Sequence, residues 1–196
     1  MRVKICGITS YEDAMLAIDA GADALGFIFY EKSPRYISPE KARSIISKLP
    51  PFIEKVGLFV NETAQTINAM AKESAITLIQ LHFETDSELR FALKYPYIEV
   101  LRMQSPQDLQ KLSRHKYYLI DAYCEGYGGS GKRLNLEWFE GMDCSKFILA
   151  GGLTPDNVAD TIAYGFYGVD VSSGTEASHG VKDKHKVRQF IKHAHL

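Results

Sequence analysis

Cys6 ends an apolar run near the amino terminus and is followed at once by a glycine, in Lys4-Ile5-Cys6-Gly7-Ile8-Thr9. A thiol at the end of a strand, with a turn immediately beyond it, can face a bound ligand. Asp121 holds the equivalent place in the run Tyr117 to Asp121, and Gln80, His82, Arg102 and Asp170 stand at or near the ends of three others. Two glycine-bearing segments follow the last two runs: Ala150-Gly151-Gly152-Leu153-Thr154 and Val171-Ser172-Ser173-Gly174-Thr175. Glycine lets backbone N–H groups approach oxygen atoms closely, and a helix N-terminus beyond such a loop favours an anion. A thiol, a carboxylate and a phosphate cradle are therefore the chemistry on offer, and a phosphate ester is the expected ligand.

These residues need elements that bring them together. Eight β-rich runs are expected as strands: Val3 to Cys6, Ala24 to Phe29, Lys55 to Val60, Thr77 to His82, Ile98 to Arg102, Tyr117 to Asp121, Phe147 to Ala150 and Gly168 to Val171. Between and after them, helical patterns run over Tyr11 to Ala20, Pro39 to Lys48, Thr63 to Glu73, Ser87 to Lys94, Pro106 to Leu112, Leu136 to Phe139, Pro155 to Ala163 and Lys184 to His193. Ser38-Pro39, Ser105-Pro106 and Thr154-Pro155 each offer a capping hydroxyl before a proline suited to the first helical position. Gly21 and Gly165 sit where helix C-caps are expected.

Parallel neighbours need crossover helices and closure removes exposed edges, so eight strand–helix units predict an α/β fold: a single-domain (β/α)8 barrel over residues 1–196, with short loops. An open doubly wound sheet fits less well, because no GxGxxG follows the first strand. Sites in such barrels lie at the C-terminal strand ends, which is where the polar residues fall. Side chains two apart share a strand face, so Lys4 lies with Cys6 and Gln80 with His82. Strands one and eight become neighbours on closure, which predicts a Lys4–Asp170 ion pair.

Composition narrows the partners. The 23 basic and 24 acidic residues leave a net charge of −1, so no global field favours nucleic acid or a membrane surface. No apolar run approaches a membrane span. Three cysteines without CxxC or Cys/His spacing argue against a disulfide framework or a zinc site. A cytoplasmic enzyme, monomer or homodimer, acting on a small phosphorylated molecule is expected. The basic stretch from Lys182 to His195 reads as the solvated face of a last helix. Residues 126–133 fit the start of a nucleotide-binding P-loop, but Arg133 stands where Ser or Thr must hold Mg²⁺. That glycine-rich segment is better read as a mobile lid over the substrate.

Taken together, the motifs resemble the phosphoribosylanthranilate isomerase family of tryptophan biosynthesis. The matching segments are Lys4-Ile5-Cys6-Gly7-Ile8-Thr9, Gly26-Phe27-Ile28-Phe29-Tyr30 with Lys32-Ser33-Pro34-Arg35-Tyr36, and Val56-Gly57-Leu58-Phe59-Val60-Asn61. They continue through Gln80-Leu81-His82, Asp121-Ala122, residues 127–132, Ala150-Gly151-Gly152-Leu153 and Gly168-Val169-Asp170-Val171-Ser172-Ser173-Gly174. Two departures stand out: Phe83 replaces a usual glycine, and Glu99 a common lysine. The resemblance implies an Amadori rearrangement with Cys6 as general base and Asp121 as general acid. It further implies that Arg35 holds the anthranilate carboxylate, that Gln80, His82, Asp170 and the glycine loops contact substrate, and that no metal or organic cofactor is required. Such a site is expected to lower the Cys6 thiol and raise the Asp121 carboxyl from their ordinary values. The related alternatives are the sugar-phosphate isomerase of histidine synthesis, which uses an aspartate where Cys6 stands, and a silent phosphate-binding barrel.

Overall fold

The computed structural model describes residues 1–113, 115–123 and 133–196. Eight parallel strands close into a barrel in sequence order: β1 (Arg2–Cys6), β2 (Ala24–Ile28), β3 (Glu54–Phe59), β4 (Leu78–Leu81), β5 (Tyr97–Met103), β6 (Tyr118–Ala122), β7 (Phe147–Leu149) and β8 (Gly168–Val171). The seam joins β8 to β1, with Val3 opposite Val169 and Lys4 opposite Asp170. The expected closed (β/α)8 architecture is what the chain forms. The lid reading of 126–133 falls almost wholly outside the described residues, as does Cys124.

Strand alternation sorts the residues into two environments. Val3, Ile5, Leu25, Phe27, Phe59, Ile79, Leu81, Ile120, Leu149 and Val169 belong to the large apolar cluster between sheet and helices. The opposite parity faces the barrel interior. There, Cys6 packs with Ile28, Leu58 and Val60, and Ile98 and Leu119 pack with Ala150. Lys4, Gln80, Asp121 and Asp170 share this inward parity, so the barrel lumen is apolar below with its polar groups set into the wall.

The first four crossovers are α-helices: α1 (Tyr11–Ala20), α2 (Pro39–Ile46), α3 (Ala64–Ser74) and α4 (Ser87–Ala92). Ser38 caps α2 by accepting from the Lys41 N–H, with Pro39 in the first turn. The C-cap of α1 is Gly21 in the left-handed region, φ 105°. The next three crossovers differ from expectation: Pro106–Lys111, Leu136–Phe139 and Val158–Tyr164 are 3₁₀-helices. All are short, the usual setting for 3₁₀ geometry, although length alone does not dictate it, since α4 is α-helical over only six residues. The Thr154-Pro155 cap also does not form as expected. Asn157 takes the N-cap position, and its side chain turns back to bond the Thr154 N–H and the Gly152 carbonyl. A predicted helix start is thus used to brace a loop.

Beyond β8 the chain makes a small hairpin, β9 (Glu176–Ser178) with β10 (Val181–Lys182), before α5 (Lys184–Ala194). This hairpin was not expected. Lys182, read as part of a solvated basic tail, is buried completely at its side chain. The rest of that stretch is an amphipathic helix with Val187, Phe190, Ile191 and Ala194 buried. Among the described residues no helix is long and apolar enough to cross a membrane.

Candidate active site

The C-terminal ends of the strands surround one cavity. Cys6, Arg35, Gln80, His82, Asp121, Gly151, Gly152, Asp170, Ser172, Ser173 and Gly174 all line it, so the structure brings every predicted site residue to one place. Arg102, at the end of β5, lines a neighbouring cleft, where its guanidinium lies over the Tyr123 ring at 4.8 Å.

Cys6 has room because its β2 partner is glycine. Cys6 and Gly26 are in register, and a Cβ on Gly26 would lie 2.6 Å from the thiol sulfur. Beneath the thiol, Lys4 Nζ meets Asp170 Oδ1 at 2.9 Å, the ion pair that closure predicts. Burial acts to lower the Lys4 ammonium, but Asp170 and Cys6 beside it prevail and hold it above its ordinary value. The thiol departs from expectation. Burial pushes Cys6 up, and Lys4 and Lys182 offset this only in part because Asp170 adds its own charge nearby. The positive groups around Cys6 do not outweigh its desolvation.

Asp121 behaves as expected. Burial, reinforced by Asp170, raises its carboxyl from 3.8 to about 6, against the opposing pull of the Ala122 N–H, Arg102 and Lys4. His82 stands just beyond β4, its Nε2 3.8 Å from Asp121 Oδ2. Burial, then Arg102 and Lys4, lowers His82 to about 4, so the imidazole beside Asp121 is neutral at pH 7. It supplies a polar wall and no charge.

The two glycine loops form a single cradle. Gly151 and Gly152 adopt φ 87° and 61°, a region that side chains rarely enter. A Cβ on Gly174 would overlap the Leu153 carbonyl oxygen, so the loops after β7 and β8 press together backbone to backbone. Two buried atoms of residues that line the cavity, Gln80 Oε1 and Ser172 Oγ, have no hydrogen-bond partner among the described residues. Such groups require a partner, and a bound polar ligand would provide one. Gly174→Ala is expected to raise the inhibition constant of inorganic phosphate by roughly tenfold, the equivalent of about one lost charge-assisted hydrogen bond. A competition assay checks it.

Arg35 is placed differently from an ordinary loop arginine. It is buried, and its Nε and Nη2 each donate to Glu176 at 2.7 Å. Glu176 also accepts from Lys182 Nζ at 3.2 Å, and Lys182 in turn reaches the Ser172 carbonyl at 3.3 Å. Burial works against the Glu176 carboxylate, yet Arg35 and Lys182 hold it below its ordinary value. Sequence reasoning missed Glu176 and Lys182. The available signal was the His179-Gly180 turn between two residues of opposite charge; Gly180 has φ 76°, and Glu176 pairs with Lys182 across the hairpin. Of the two departures, Glu99 pairs with Arg90 at 3.2 Å, and Phe83 packs onto the main apolar cluster.

Comparison with known proteins finds relatives over nearly the whole chain. A family model described as N-(5'phosphoribosyl)anthranilate (PRA) isomerase matches residues 3–193. The N-(5'-phosphoribosyl)anthranilate isomerase of Sulfurovum sp. (strain NBC37-1) is 57% identical over 194 residues, covering 99% of this chain and 98% of its own length. The crystal structure of phosphoribosyl anthranilate isomerase from Thermotoga maritima superposes with a TM-score of 0.89 at 40% identity, covering 100% of this chain and 98% of that one. A further structure of the isomerase, in complex with reduced 1-(o-carboxyphenylamino)-1-deoxyribulose 5-phosphate, gives a TM-score of 0.84 at 38% identity, with coverage of 100% and 98%. A match over nearly the whole length, at this identity and with this fold, has one reading: the chain belongs to the N-(5'-phosphoribosyl)anthranilate isomerase family.

Proposed function

We propose that this chain catalyses the Amadori rearrangement of N-(5'-phosphoribosyl)anthranilate to 1-(2-carboxyphenylamino)-1-deoxyribulose 5-phosphate, a step of tryptophan biosynthesis, with Asp121 as acid and Cys6 as base. The observation that carries this reading is the placement of Cys6 and Asp121 on the wall of one cavity, with the Gly151–Gly152 and Ser172–Gly174 cradle beside them. The cradle takes the substrate's phosphate through backbone N–H groups. Asp121 gives its proton to the furanose ring oxygen, the C1–O bond breaks, and the substrate's own nitrogen carries the positive charge as an iminium ion. Cys6, as thiolate, then removes the C2 proton. The resulting enolamine has a C2 hydroxyl and tautomerises to the ketone, leaving the proton on carbon C1.

Each role suits its surroundings. An acid raised to about 6 is part protonated near neutrality and gives its proton readily. The Lys4 ammonium beside Cys6 stabilises the thiolate when it forms. Ser172 Oγ and Gln80 Oε1 gain partners when substrate polar groups arrive. The test is loss of anthranilate fluorescence when purified protein meets N-(5'-phosphoribosyl)anthranilate, and fluorescence unchanged by the protein would sink the reading.

For the assembly we infer a homodimer in the cytoplasm. One related structure is described as monomers derived from a dimeric Thermotoga maritima isomerase. Here the N-terminal barrel face carries a fully exposed Phe52 at the rim of a cavity of about 630 Å³. Seating this ring against a second copy would take its apolar surface out of water.

A further inference from the structure

We infer that Glu176, carried by the β9–β10 hairpin, is the positioning residue that fixes Arg35 for carboxylate recognition, a step that rests on the isomerase reading above. Arg35 has five N–H donors in a planar fork. Glu176 takes the Nε and Nη2 edge with both of its oxygens, and His179 Nδ1 lies 3.3 Å from Nη2. Among the described residues no hydrogen bond engages Nη1, and Arg35 lines the cavity. The edge left for a ligand is therefore the Nη1 edge, locked in one orientation.

The anchor is itself held from several sides. Glu176 Oε1 accepts from Lys182 Nζ at 3.2 Å and from the Gly180 N–H at 3.4 Å. Thr9 in the loop after β1 donates to the Gly180 carbonyl at 2.6 Å. Gly7 in the same loop leaves space for Arg35, since a Cβ there would lie 2.8 Å from its Cδ. A buried carboxylate shared by two cations keeps the guanidinium at the cavity wall. Preorganisation of this kind lowers the cost of ordering a long side chain when substrate binds. It also directs a substrate carboxylate to the Nη1 end of the guanidinium, because Glu176 already occupies the Nε and Nη2 edge.

The experiment is a double-mutant cycle read by two observables. Calorimetry gives the Kd of reduced 1-(o-carboxyphenylamino)-1-deoxyribulose 5-phosphate, and turnover gives KM and kcat. In the wild-type background Glu176→Gln is expected to raise Kd and KM roughly tenfold, with kcat changed by less than about threefold. In an Arg35→Met background the same substitution is expected to change Kd by less than about twofold, because Glu176 acts through Arg35. Equal effects in both backgrounds, or an unchanged Kd in the first, would overturn the inference. A parallel tenfold rise in the inhibition constant of inorganic phosphate that persists in the Arg35→Met background would also overturn it, by placing the effect on the Ser172 loop. Wild-type protein that binds the analogue but shows no turnover would count against the isomerase reading and leave the cycle readable through Kd.

Discussion

Cys6→Ser is expected to lower kcat by roughly 10²- to 10⁴-fold while leaving the Kd of the reduced product analogue within about threefold, the range by which general acid–base catalysis accelerates proton transfer. Serine keeps the shape and the polar head of cysteine, so the space opened by Gly26 and the Lys4–Asp170 pair below remain undisturbed. What it loses is an ionisable group. The thiol lies above its ordinary 9.0 because of burial, yet it still ionises far more readily than a serine hydroxyl. If Cys6 only packed against Ile28, Leu58 and Val60, the substitution would cost stability and leave kcat close to wild type. Single-turnover fluorescence separates the two, because it reads the chemical step apart from product release.

Asp121→Asn is expected to produce a comparable loss in kcat together with a gain in stability. Asparagine cannot give a proton to the ring oxygen, so ring opening falls back on water, and a loss of roughly 10²-fold or more follows. The stability change has a definite sign. The folded carboxyl titrates at about 6 against an ordinary 3.8, so between these values the folded chain holds a proton that the unfolded chain has released. Stability is therefore fully present below the unfolded value and is lost as pH rises through about 6, leaving the ionised form up to about 3 kcal/mol less favourable in the fold. Asparagine escapes that cost. Its Tm at pH 7.5 is expected to exceed that of wild type by several degrees, and the difference should shrink as pH is lowered toward 4, as thermal unfolding at the two pH values would record. A variant that is both inactive and more stable is the signature of a strained functional group rather than a structural one.

Much of this site could be read before any coordinates. Alternation alone places Lys4 and Cys6 on one face, and closure alone brings β1 beside β8, so the Lys4–Asp170 pair follows from two general rules. Both glycine loops were legible because one glycine pair and one single glycine follow the last two strands, where barrels commonly hold phosphate. The direction of the Cys6 thiol was not. Counting nearby cations predicts a lowered value, whereas its value depends on desolvation, which sequence does not display. Glu176 and Lys182 stayed hidden for a related reason. Charged residues beside a basic helix read as solvated, and only the hairpin turns them inward onto Arg35. The three 3₁₀ crossovers were missed because propensity and capping signals mark where a helix begins and do not set its pitch.

The central claim is that Asp121 and Cys6 act as an acid–base couple, and the pH dependence of kcat/KM tests it most directly. The acid titrates at about 6 and burial holds the base above its ordinary range, so the active form, Asp121 protonated with Cys6 ionised, is the minor one. Its share is small and constant across the interval between the two values. Wild type should therefore show a plateau bounded below by a limb near pH 6 and above by a limb in the alkaline range. The lower limb belongs to Asp121 even though Asp121 is the acid. In Asp121→Asn the account predicts that this limb vanishes and the residual rate climbs with pH until the thiol has ionised. A limb near pH 6 that persists unchanged in Asp121→Asn would assign it to the substrate phosphate or another group, and would contradict the account.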